Sequence, residues 1–229
     1  MKKFFCVLFI AGLLNIPSYS QVILGAGYVN QSLSEFNPHL LNGFYVGGGY
    51  SIAIGNRFAV TPGLYYLRAQ GGLYGTGNLW LSATQILPPM DLDEKEYFRN
   101  NTLALPVQVS FSVVSSPAFK LFIFGGPSIS FELNTSYEYS CSIGERPLSE
   151  VSCKDLIAED NTIQPNIDYS RWSIGIGGGI GMDIFKHYRI TAGYEYGLND
   201  RLKGREYLTF QDDKSMHTQR IYAGLAYVF

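Results

Sequence analysis

The side chains that could do chemistry are sparse in this 229-residue sequence, and few stand close together. The three histidines, His39, His187 and His217, are isolated from one another, whereas a readable metal site needs ligands at short, regular spacing. All three read as solvated, His187 in a tight turn and the others in or beside longer links. His217-Thr218-Gln219 has no serine suitably placed for a Ser-His-acid hydrolase, and no hydrolytic motif occurs elsewhere, so the chain reads as non-enzymatic. The acidic run Asp91-Leu92-Asp93-Glu94-Lys95-Glu96 lacks the glycine and the terminal spacing of a calcium loop, which leaves a solvated loop. In the glycine stripe Gly175, Gly177, Gly179, Gly181, Ile180 occupies the place of the third glycine of a dinucleotide loop, and no phosphate-loop Lys-Ser/Thr follows. Its Gly-x-x-x-Gly spacing would pair helices only within an apolar run of about 20 residues, which Asp183 interrupts. No cofactor and no metal is expected. Cys141 and Cys153 share one polar segment, where a disulfide suits an oxidising compartment and two free thiols are the alternative.

The start of the chain bears on that compartment. Lys2 and Lys3 precede the apolar run Phe4–Leu14, Pro17 ends it, and Ser18 and Ser20 place small residues at −3 and −1 before Gln21. This is the pattern of a secretory signal peptide over 1–20, and the run is too short to span a bilayer, which takes roughly 20 residues. Cys6 lies inside the apolar run rather than just after the cleavage point, which argues against lipidation. Residues 21–229 then form a single domain. Charged residues make up only 16 % of the chain against 15 % aromatic, with 25 glycines. Soluble domains carry about a quarter charged residues, so the balance points to aromatic-rich strands. The formal net charge of −2 and the lack of a basic stripe exclude nucleic acid as a partner.

Along the mature chain, apolar residues alternate with small or polar ones at the period of a strand. Leu103, Leu105, Val107, Val109, Phe111 and Val113 alternate with Thr102, Ala104, Pro106, Gln108, Ser110 and Ser112. Similar stretches give eight strands, at 22–32, 43–54, 57–69, 102–114, 120–133, 171–185, 188–198 and 218–229. The links decide between a sandwich and a barrel. Those at 55–56, 115–119 and 186–187 are short, whereas the others run to about 10, 32, 37 and 19 residues. Strict alternation of short and long links is the signature of an eight-stranded, antiparallel, up-and-down transmembrane β-barrel, with both termini on the periplasmic side of a bacterial outer membrane. Hydrocarbon satisfies no backbone hydrogen bond, so such a sheet has to close on itself.

Strand parity then sorts the side chains. Glu132, Asp183, Arg189, Glu195 and Arg220 fall on the inward parity, and charges there are costly unless paired, so they are expected to form an ion network filling the lumen, with a narrow gated pore as the alternative. The glycine stripe is expected to leave room for Tyr and Arg from other strands. Tyr28, Tyr50, Tyr66, Trp172, Tyr188 and Tyr227 would form the interfacial girdles. Pro62, Pro106 and Pro127 fall inside strands and predict local bulges or strand ends.

The stretches Gly43–Gly49, Arg57–Tyr66, Leu103–Val107, Phe124–Pro127 and Tyr194–Asn199 resemble the small outer-membrane β-barrels of Bacteroidetes called PorT-like, within the wider set of eight-stranded OmpA/OmpX-like barrels. The resemblance implies that prolines are tolerated at these three places, and it implies a role in a protein-secretion system as the alternative function. The ending Gly224-Leu-Ala-Tyr227-Val-Phe229 is similar to the terminal signal read by the barrel-assembly machinery. Partners expected on this reading are outer-membrane lipid, that machinery, and an envelope or surface protein met by the outer links around 70–101 and 135–170.

Overall fold

The computed structural model describes residues 20–33, 37–79, 90–116, 118–143, 146–153, 168–203 and 217–229. The leader therefore lies outside the described residues except for Ser20. So do the side chains of His39, Cys141, Cys153 and Asp91–Glu94. Among the described residues there are eleven strands: β1 (Ser20–Leu33), β2 (Asn37–Ile54), β3 (Phe58–Leu79), β4 (Met90–Ser115), β5 (Phe119–Ile143), β6 (Arg146–Cys153), β7 (Asp168–Tyr169), β8 (Trp172–Ile184), β9 (Tyr188–Gly197), β10 (Leu202–Lys203) and β11 (Thr218–Val228). Eight of them close a ring in the order β1-β2-β3-β4-β5-β8-β9-β11, each antiparallel to its neighbours, with β11 returning to β1. Among the described residues no helix is long and apolar enough to cross a membrane.

The expected alternation places side chains on two faces. On β4, Asn100, Thr102, Ala104 and Ser112 are buried while Leu105, Val107, Val109 and Val113 are exposed. A soluble protein would not leave a belt of Val, Leu, Ile and Phe open on every strand; here the apolar face is the outside of the ring. Aromatic residues bracket this belt. At the short-turn end Phe58 and Phe111 rings lie 5.0 Å apart, Tyr188 and Tyr227 5.8 Å, and Tyr227 and Phe229 4.8 Å. At the other end Phe131 and Trp172 lie 4.7 Å apart, and the Tyr66 hydroxyl donates to Asn101 Oδ1 at 2.7 Å.

The strand ends at the short turns lie close to their expected places, but the opposite ends do not. β3 runs on to Leu79 and β4 starts at Met90, so much of the expected loop 70–101 is paired strand, from Gln70↔Arg99 to Leu79↔Met90. Likewise β5 continues to Ile143 and folds back as β6 within the expected loop 135–170. A four-stranded sheet β3-β4-β5-β6 thus extends past the belt. Backbone pairing continues there because the register set in the wall carries on without hydrocarbon to demand it. In that hairpin Cys141 lies opposite Ser149 and Cys153 opposite Tyr137. Four residues along a ladder separate them by roughly 13 Å, beyond the roughly 4.4–6.8 Å between Cα atoms that a disulfide allows. In this register the expected bond is absent.

The prolines also depart from expectation. Pro62 pairs with Val107, Pro106 with Ser128 and Pro127 with Ile176, and no register shift falls at any of them. Each loses pairing with one neighbour only: the ladder skips the positions opposite Pro62 on β2, Pro106 on β3 and Pro127 on β4 while keeping its register. One missing N–H costs one rung, and the partner strand on the other side holds the frame. The shifts that do occur lie at Asn101/Thr102 and Ser112/Val114 on β4, and in β1 and β5.

The β8–β9 turn is the most strained backbone. Phe185 and Lys186 take φ of 50° and 67°, and His187 N donates to Ile184 O at 3.2 Å. Two left-handed residues in succession make a type I′ hairpin turn, which normally takes Asn-Gly. A non-glycine residue there costs roughly 1–2 kcal/mol. Lys186→Gly is accordingly expected to stabilise the barrel by about 1 kcal/mol, read as a higher urea midpoint for unfolding from lipid vesicles.

Candidate functional site

The inward face is the only place where charge collects under cover among the described residues. From the short-turn end, Asp183 and Arg189 are direct cross-strand partners, and their bidentate bonds measure 2.6 and 2.8 Å. The Arg189 guanidinium also lies 4.7 Å from the centre of the Phe122 ring. Above it comes an aromatic layer in which Tyr45 stands edge-on to Tyr65 at 5.9 Å and to Tyr222 at 6.2 Å, packed on Val29, Leu67 and Ala104. Next, Arg220 bonds its register partner Glu195 at 2.7 Å, Gln31 Oε1 at 3.1 Å and Ser130 Oγ at 3.2 Å. Farthest from the short turns, Glu132 accepts from Arg201 at 2.5 Å, Asn100 at 2.6 Å and Thr135 at 3.2 Å.

All five charged residues expected on the inward parity therefore face the lumen, but the structure does not join them into one network. Asp183–Arg189 and Glu195–Arg220 are two pairs in separate layers, and Glu132 bonds none of the other four among the described residues. Its partner, Arg201, was not anticipated, because it lies in the link after β9 rather than on a strand. That link folds back over β8: Asn199 Oδ1 accepts from Ile174 N at 2.7 Å, and its Nδ2 donates to Trp172 O at 3.0 Å. The turn delivers Arg201, 0 % exposed, to Glu132 at 1 %. Arg201 also donates to Thr218 Oγ1 at 3.2 Å and to the Ser170 carbonyl at 3.1 and 3.0 Å. The charge count gave no signal for it, since Lys120, opposite Asp183 on the inward parity of β5, joins Arg189 and Arg220 in balancing the three inward acids.

The glycines serve this packing in a different way from that expected. A Cβ added at Gly181 would overlap the Phe122 ring, one at Gly179 would come within 2.8 Å of Phe124 Cζ, and one at Gly175 within 3.4 Å of Glu195 Cγ. The stripe makes room for phenylalanines and a glutamate, whereas the tyrosines are received elsewhere: Tyr45 against Gly27 and Gly224, Tyr65 against Gly47 and Gly63, and Tyr222 against Gly193.

Two histidines are engaged rather than merely solvated. The His187 ring hydrogen-bonds the Val228 carbonyl at 3.0 Å and stacks on Tyr227 at 5.6 Å. His217 hydrogen-bonds the Gly197 carbonyl at 2.9 Å and stacks on Tyr196 at 5.4 Å. Of the three positions marked as an assembly signal, Gly224 holds space for Tyr45, while Tyr227 and Phe229 face outward, with Phe229 N bonded to Val22 O at 2.9 Å. Among the described residues no group of three or more His, Cys, Asp or Glu comes together as a metal site.

A closed ring with an apolar exterior and a paired-charge interior defines a transmembrane β-barrel. The family profile described as "Outer membrane protein beta-barrel domain" matches residues 14–203, and the chain belongs to that family of the bacterial outer membrane. Similar solved structures include Ail of Yersinia pestis in complex with a heparin analogue (13 % identity, TM-score 0.40, 92 % of this chain and 97 % of that one). Neisserial surface protein A (15 %, 0.42, 93 % and 98 %) and the outer membrane enzyme PagL (8 %, 0.37, 89 % and 97 %) are others. No curated protein matches the chain by sequence. Shape at this distance carries no activity with it.

Proposed function

We propose that this chain is a non-enzymatic outer-membrane barrel whose lumen is filled by its own side chains and whose long-link end is displayed outside the cell for contacts with surface or envelope proteins. On this reading the leader 1–20 is removed, both termini face the periplasm, and the Tyr227–Phe229 ending is read during assembly. The observation that carries it is the layered interior, where a tyrosine cluster lies between the Asp183–Arg189 pair and the Glu195–Arg220 and Glu132–Arg201 pairs, and where Arg201 and Arg220 each bond several partners. In an eight-stranded ring the bore is only wide enough for such side chains. Nothing in the layers resembles a nucleophile with a base and an orienting acid. Display is tested by adding protease to intact cells: cleavage is expected within 70–101 and 135–170, with the short turns at 55–57 and 185–187 spared. Cleavage confined to those turns would invert the orientation.

A second reading, a subunit of a PorT-type secretion system, rests on the motifs 43–49, 57–66, 103–107, 124–127 and 194–199. Apart from the last residues of 194–199, just past β9, all of these lie in the barrel wall or its β2–β3 turn rather than in the extended sheet. A deletion strain with normal protein secretion would sink it.

A further inference from the structure

The β3–β4 wall carries two arginines on the outward face just beyond the apolar belt. Arg68 stands between inward Leu67 and Ala69, and Arg99 precedes the buried, inward Asn100. Below them the same face is Leu64 and Leu105, with Tyr66 bonded to Asn101 at the boundary. The register sets Arg68 opposite Asn101 and Arg99 opposite Gln70, so the two are diagonal neighbours on adjacent strands. Diagonal positions lie roughly 7–8 Å apart, within mutual reach of long side chains.

Among the described residues neither cation has a carboxylate partner. Among the described residues no hydrogen bond or ion pair engages the Arg68 side chain, though it is half-buried. Arg99 lies 5.6 Å from the centre of the Tyr97 ring, and its Nε is buried with no acceptor. Lys95 follows on the same parity and is exposed. The inward arginines Arg189, Arg201 and Arg220, by contrast, each have a carboxylate. Two guanidiniums without a carboxylate among the described residues, directly above an acyl-chain surface, lie at the depth of lipid headgroups. A planar guanidinium binds phosphate through two parallel N–H bonds, which makes phosphate the matching acceptor.

The geometry points to a lipid site on β3 and β4, where Arg68 and Arg99 hold the phosphate of a membrane lipid whose chains lie along Leu64, Leu103 and Leu105. This site depends on the lipid-facing belt and not on a filled lumen, so its loss would leave the function proposed above standing.

Native mass spectrometry of the whole protein in a neutral maltoside detergent tests it, with phosphatidylglycerol as the probe and diacylglycerol as the phosphate-free control. The wild type is expected to retain phosphatidylglycerol over diacylglycerol. R68Q/R99Q should weaken retention about tenfold, with R68K/R99K intermediate and R57Q at the opposite rim unchanged. Gel mobility before and after heating reports whether each barrel is folded; if the double variant is not, R68Q and R99Q are read singly, each expected about threefold weaker. Equal retention by folded glutamine variants, equal retention of diacylglycerol, or displacement of the lipid by millimolar inorganic phosphate would each overturn the assignment.

Discussion

Arg201→Ala is expected to destabilise the barrel by about 3–5 kcal/mol, the largest effect of any single charge removal. The change takes from Glu132, at 1 % exposure, the guanidinium that bonds it at 2.5 Å, and takes two N–H donors from the Ser170 carbonyl. A buried carboxylate without its counter-charge is the costly state; the pair itself contributes less than its breaking suggests. The double change E132L/R201M should therefore cost much less than Arg201→Ala alone. Urea unfolding from lipid vesicles reads both, with R57A as a surface control shifting by under about 0.5 kcal/mol. Equal loss in the single and double variants would show that Arg201 acts by packing its stem and not by charge.

Gly181→Ala is the second large effect, expected at about 1–3 kcal/mol from overpacking. Its significance lies in the rescue. The three nearest atoms to the added methyl all belong to the Phe122 ring, not to backbone. Phe122→Leu should therefore restore most of the loss, although it also removes the ring beneath Arg189. At Gly224 no such rescue is expected, because the Ala26 carbonyl as well as the Tyr45 hydroxyl lies in the way. Comparing G181A, F122L and G181A/F122L separates side-chain crowding from backbone need.

These two sites mark where sequence reading succeeds and where it stops. Period-two alternation and the rhythm of short and long links are local properties, so they place all eight wall strands and assign Asp183, Arg189, Glu195 and Arg220 to the interior. Pairing partners depend on register between strands, which alternation does not encode. Neighbouring strands bring Asp183 to Arg189 and Glu195 to Arg220 by direct opposition. Arg201 reaches Glu132 across 69 positions through a folded-back link, which strand alternation does not encode. The strand extension beyond Gln70 and Asn134 was missed for a related reason. Outside hydrocarbon neither face has to be apolar, so the alternation fades although the backbone goes on pairing.

The filled lumen is tested most directly by current through single molecules of the whole protein reconstituted in a planar bilayer. If the three ion pairs and the tyrosine cluster close the lumen as proposed, the expected record shows no steady open level across ordinary voltages. A stable, reproducible conductance step would contradict a barrel closed by its own side chains.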